Sequence, residues 1–252
     1  MLEMQLVGER LMLAYRDLLA AEARLGEALS RRGIQVGATL ADQWPTLDEY
    51  LAIYARGLSP AGMVVFGGRP DEGSRATGIP FTGAPEARDL LGLEAQGAQR
   101  SPGGRAFWRA VDAARSQAQD APIEALFGTV HLAHAQPFDF SPEPEVREAS
   151  AQHVLRILAA ARPQAAVCIG ADALATLGRA IRNTDVASLA NAPEATWVER
   201  WPPGTRLYAY PYAEVAADRP FRVRIVPVPS LTGADAAHGE RALATTLTYA
   251  LA

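Results

Sequence analysis

The residues of this chain best suited to chemistry lie between Gly62 and Gly83, in the stretch GMVVFGGRPDEGSRATGIPFTG. Met63-Val64-Val65-Phe66 is a short apolar run rich in β-branched and aromatic side chains, and Gly67-Gly68 stops it. It reads as a strand covered on both faces of an α/β sheet. Gly67, Gly68, Gly73 and Gly78 allow positive φ and close backbone approach to a ligand, while Pro70 and Pro80 stiffen the path between them. Arg69 contributes a fixed cation with five donors that cannot serve as a general base near neutral pH. Asp71 and Glu72 are carboxylates that could orient a water molecule, while the preferred reading of Asp71 is that it pairs with Arg69 or Arg75 and caps the loop. Phe81 closes the stretch with a flat ring.

The remaining reactive side chains are sparse. His131 falls within an apolar strand pattern and reads as a core histidine, whereas His134 falls just beyond it and is a candidate for a pocket. His238, near the start of the last helix, could touch a phosphate there or simply be solvated, and His153 lies mid-helix with no assigned role. Four histidines without paired spacing give no metal site, and no cofactor is expected. Cys168 is the only cysteine, which excludes a disulfide framework and a cysteine-held cluster and leaves a buried, inert thiol. The 24 basic residues are all arginine. Without lysine, neither a Walker-type phosphate lysine nor a lysine Schiff base is possible.

These residues need a scaffold, and the pattern supplies one. At 252 residues and 49% hydrophobic, the chain is long enough for a large core and is read as a single domain over 1–252. Helices are predicted over 2–32, from an N-cap at Thr46 to Gly57, over 84–91, 104–118, 145–161, 171–182 and 234–251. Strands are predicted over 62–67, 126–132, 165–170 and 222–228. Strand and helix alternate, so the fold class is α/β, a three-layer α/β/α arrangement around a mainly parallel four-stranded sheet. Ligand loops then begin at the carboxyl ends of strands, at Gly67, Ala133 and Val228. Residues 184–220 break the rhythm and read as an inserted arm or hairpin. Its Trp197, Trp201, Tyr208, Tyr210 and Tyr212 could stack on unpaired bases or pack onto the body. No run approaches the roughly 20 apolar residues of a membrane span, and Glu3 and Glu9 stand where a signal peptide would be basic. A cytoplasmic protein is expected. A net charge of −4 argues against broad nonspecific nucleic-acid binding, though a local arginine cluster could suffice.

In order and spacing the three loops resemble the active-site motifs of the uracil-DNA glycosylase superfamily, the SMUG type (single-strand-selective monofunctional glycosylases) in particular. Gly67-Gly68-Arg69-Pro70-Asp71 is similar to that family's G-M-N-P-G, and Thr77-Gly78-Ile79-Pro80-Phe81 to its T-G-V-P-F. Ala87-Arg88-Asp89-Leu90-Leu91-Gly92 resembles V-R-D-W-L-G, and Arg105-Ala106-Phe107-Trp108 resembles A-R-F-W. His134-Ala135-Gln136-Pro137 falls where the family has N-x-x-P, and Val167-Cys168-Ile169-Gly170 where it has V-x-G-V-G. The last motif, H-P-S-P-R-N-P-Q-A-N-K-G, aligns without gaps on Val228 to Gly239 and keeps Pro229, Ser230, Ala236 and Gly239.

The resemblance implies a uracil-DNA glycosylase-like domain that binds single-stranded or damaged duplex DNA as a monomer. It gives catalytic positions to Arg69, Asp71 and Val228, base-binding positions to Gly67, Gly68, Phe81 and His134, and DNA-binding positions to Pro229, Ser230, Thr232 and His238. In that family a histidine at the position of Val228 donates a hydrogen bond to the departing base, and an asparagine at the position of Arg69 positions the attacking water. Loss of one such donor typically costs ~10²- to 10³-fold in rate. Valine has no donor, so ordinary uracil excision is expected to be weak or absent. His134 replaces the asparagine that reads uracil, and Thr232 an arginine that wedges the duplex, whereas Phe81 keeps the stacking ring. An active glycosylase for a different damaged base, and a nucleotide- or sugar-binding α/β protein unrelated to repair, are the alternatives. The second lacks both the GxGxxG spacing and the P-loop lysine.

Overall fold

A computed structural model describes residues 2–34, 40, 48, 62–70, 74, 78–82, 101–138 and 143–251. Three strands with no exposed face form the centre of the sheet: β1 (Met63–Gly67), β2 (Val130–His134) and β3 (Ala165–Ile169), each buried at every position. β1 and β3 are apolar throughout and β2 adds two buried histidines, so no face is left for water, as parallel strands covered by helices require. β5 (Phe221–Val228) lies parallel to β3, and β4 (Tyr212–Val215) lies antiparallel to β5, giving the order β2-β1-β3-β5-β4. Among the described residues the sheet is therefore five-stranded and mixed, not four-stranded. The added strand is the edge, and its alternating exposure leaves one face in solvent.

The long described helices lie in two groups. α1 (Leu2–Arg31), α4 (Pro144–Ala161) and α5 (Ala171–Ala180) pack in succession, while α2 (Pro102–Gln117) packs on α8 (Ala236–Leu251). This is consistent with a three-layer α/β/α arrangement. Ser101 caps α2 by accepting from Gly104 N at 2.9 Å, and Pro102 occupies the first turn, where its missing N–H costs nothing. Cys168 is fully buried in β3, and burial pushes its thiol pKa up. Among the described residues no helix is long and apolar enough to cross a membrane.

One sequence expectation is corrected here and a second is resolved into its elements. The run 126–132 does not begin a strand: Leu126 and Phe127 end a one-turn helix, α3 (Ile123–Phe127), started by Pro122 and closed where Gly128 N donates to Glu124 O at 2.8 Å. The strand starts at Val130 and extends to His134, so His134 is its last residue instead of a loop residue. The segment 184–220 holds two short helices, α6 (Thr184–Ala190) and α7 (Glu194–Arg200), then β4, which returns as a hairpin to β5. Its aromatics divide. Trp197, Trp201 and Tyr210 are buried, and Trp197 donates to Leu189 O at 3.0 Å, whereas Tyr208 and Tyr212 are 66% and 50% exposed. The helix expected over 84–91 lies outside the described residues, and so does the one expected over 46–57 apart from Asp48.

Candidate functional site at the carboxyl ends of the strands

Parallel pairing in register sets Gly67, the end of β1, beside His134, the end of β2. The chain that follows β2 then folds against the chain that follows β1: Ala135 N donates to Gly67 O at 2.8 Å, and His134 Nδ1 lies 3.2 Å from Gly68 O. A carbonyl only accepts, so Nδ1 carries a proton, and in the neutral ring the lone pair sits on Nε2. His134 is 4% exposed.

Phe81 completes this corner. Its φ is 61°, a left-handed conformation that is a marked outlier for a bulky residue. Three contacts hold it there. The ring stacks on Phe107 with centroids 5.0 Å apart and planes 11° apart, Trp108 Nε1 donates to the Phe81 carbonyl at 3.1 Å, and the ring edge lies against Gly67. A Cβ on Gly67 would come 2.9 Å from Pro80 Cβ and 3.2 Å from two ring carbons of Phe81. Gly67 therefore serves close approach; it does not adopt positive φ, and neither does Gly68, whereas Gly78 does at 71°. A Cβ on Gly103 would lie 3.5 Å from Thr232 Cγ2 and 3.9 Å from Phe81 Cδ1, so the loop after β5 comes close to the same corner.

The other sequence-derived residues divide. Val228 pairs with Ile169 and is fully buried; its carbonyl accepts from Gly170 N at 2.8 Å, and its side chain belongs to the core. Pro229 and Ser230 carry the chain over Gly239, where a Cβ would lie 2.5 Å from Pro229 O. Ser230 Oγ lies 3.0 Å from Thr232 Oγ1, with Thr232 exposed. His238 is exposed in the first turn of α8. Asp71 lies outside the described residues.

Arg69 is exposed, and its Nε donates to Gln136 Oε1 at 2.9 Å. It lines a cavity of about 320 Å³ with Arg147 of α4 and Arg179 of α5. A larger cavity, about 740 Å³, lies between α1, α4 and the β4–β5 turn, and none of the candidate site residues lines it. Gly67, Gly68, Phe81, His134 and Thr232 thus come together, while Arg69 faces the arginine-lined cavity and Val228 lies in the core.

Glu194 was not anticipated. Its Oε1 accepts from Ala171 N at 2.9 Å and its Oε2 from Ser230 N at 2.6 Å, which ties the loops after β3 and β5 to α7. The first of these donors is the opening turn of α5, where a negative charge is favoured. Nothing in the sequence separates this carboxylate from the other acids of its segment. A scan against protein-family models finds no match to the chain, and a search of curated proteins finds no relative.

Proposed function

We propose that this chain binds a nucleobase of single-stranded or damaged DNA in a uracil-DNA glycosylase-like cleft, with Phe81 as the stacking platform, and that ordinary uracil excision is weak or absent. The observation that carries this reading is the left-handed Phe81, fixed between Gly67 and Phe107 and still partly accessible. Strained non-glycine residues cluster where a ligand is gripped. Base stacking on such a ring tolerates any base. The mainly parallel sheet agrees with the fold that the sequence resemblance implies, and so does the convergence of the loops after β1, β2 and β5 on one corner.

The chemistry argues against an efficient uracil glycosylase. A departing uracil anion needs a preorganised donor, and Val228, buried and apolar, has none. Arg69 cannot act as a base, and its Nε is committed to Gln136. His134 Nδ1 is directed at Gly68 O. A stacking ring without the leaving-group donor fits recognition better than turnover.

The test is a panel of single- and double-stranded oligonucleotides carrying uracil, hydroxymethyluracil, hypoxanthine or xanthine, each measured for binding and, after alkali, for abasic-site formation. Binding without uracil release supports the reading. Rapid uracil release would overturn its catalytic part, and no binding to any strand would overturn the whole.

A further inference from the structure

We propose that the cavity between α4 and α5 is a binding site for a phosphoryl group, gripped by Arg69, Arg147 and Arg179. Three guanidinium side chains line one concavity in which, among the described residues, Asp172 is the only acid. None of the three makes an ion pair among the described residues, although arginines elsewhere do: Arg32 with Glu143 and Glu145, Arg109 with Glu240, Arg156 with Asp17. Three like charges set against one described acid favour an anionic occupant.

Arg69 is also aimed. Thr176 Oγ1 donates to Asp172 O at 2.9 Å, so its oxygen is the acceptor for Gln136 Nε2 at 3.1 Å. That fixes the flip of the Gln136 amide and turns Oε1 toward Arg69 Nε. With Nε held, the two terminal nitrogens of Arg69 keep four N–H donors, none bonded among the described residues. A planar fork of this kind matches phosphoryl oxygens, and a second and third guanidinium suit a doubly charged group. The volume, about 320 Å³, is at the low end of small-molecule sites and suits a phosphate with a sugar-sized attachment. The site does not depend on the nucleobase reading.

The experiment is calorimetric titration of the full chain with inorganic phosphate, thymidine 5′-monophosphate, thymidine, and an oligothymidylate lacking terminal phosphates. Phosphate and the monophosphate are expected to bind and compete, and thymidine not to displace phosphate. Arg147→Gln and Arg179→Gln should each weaken phosphate about tenfold, and Gln136→Leu, which releases Arg69, roughly threefold or more. Arg222→Gln on the far edge should stay within about twofold. A matching loss for the oligothymidylate assigns the group to a nucleic-acid backbone; its absence assigns it to a free phosphate. Phe81→Ala should leave phosphate affinity unchanged, which separates this site from the stacking corner. No saturable phosphate binding below roughly 10 mM, or equal losses in Arg222→Gln, overturns the proposal. The substituted arginines are exposed, and unchanged urea midpoints check that each variant folds.

Discussion

The Ser230 N–H donates to Glu194 Oε2 at 2.6 Å, and the same carboxylate accepts from Ala171 N through its other oxygen. One side chain from the 184–220 segment therefore clamps the loops that follow two neighbouring strands, β3 and β5, at the end of the sheet where the candidate site lies.

Removing that clamp should loosen both loops. Charge-assisted hydrogen bonds contribute about 1.5–3 kcal/mol, so Glu194→Ala is expected to lower stability by roughly 2 kcal/mol, with Glu194→Gln costing less because its amide oxygen still accepts. Urea unfolding measures both. Equal stability of Glu194→Ala and the parent chain would show that the contact carries no weight.

Gly239 is expected to tolerate no side chain. A Cβ there would sit 2.5 Å from Pro229 O and 2.7 Å from Ser230 O, and these are backbone atoms that cannot rotate away. Gly239→Ala should cost about 1–3 kcal/mol. Gly68→Ala, with nothing within 4 Å, should cost far less. Thermal unfolding of the two variants side by side gives the comparison.

Stability should fall on acidification before the carboxylates titrate. His131 and His153 are buried around Tyr15, with His131 Nε2 3.3 Å from its hydroxyl and the His153 ring edge-on at 5.1 Å. Burial pushes both imidazoles down to about 3; for His153, the nearby His131, Arg156 and His134 add to the effect. In the unfolded chain they titrate near ~6.5. The unfolded state thus binds more protons between these values, so stability is complete above about 6.5 and declines as pH drops toward 3. Urea midpoints at pH 7.0 and 5.5 should show the decline, and His153→Leu should flatten it. A midpoint that rises on acidification through this window would contradict the assignment.

Any abasic site the protein does generate should stay intact until alkali is added, because no lysine is present to cleave the strand through a Schiff base. Denaturing gels with and without alkali test this directly. Strand cleavage that persists without alkali in an N-terminally blocked preparation would be inconsistent with it.

The central sheet was legible because β1, β3 and the inner half of β5 are apolar on both faces, which few other elements permit. β4 was not: four residues at an edge, alternating in exposure within a Tyr- and Pro-rich segment, carry too little signal. Leu126 and Phe127 misled because a short apolar run does not tell a helical turn from a strand; Gly128 was the cue that separates them. Phe81 could be picked from its motif, whereas its positive φ could not, since that depends on Phe107, Trp108 and Gly67 arriving from elsewhere. Glu194 and the Gln136–Thr176 relay were hidden for the same reason, being contacts between residues 23 to 40 positions apart.

Whether the Phe81 ring receives a base is best measured by fluorescence anisotropy on a short single-stranded oligonucleotide, comparing the parent chain with Phe81→Leu, Phe81→Ala and Phe81→Tyr at matched folded fractions. The expected result is a loss of about tenfold or more in affinity for the leucine and alanine variants, with tyrosine retaining most of it. Equal affinity across all four proteins, or no binding by the parent chain, would contradict the role given to this ring.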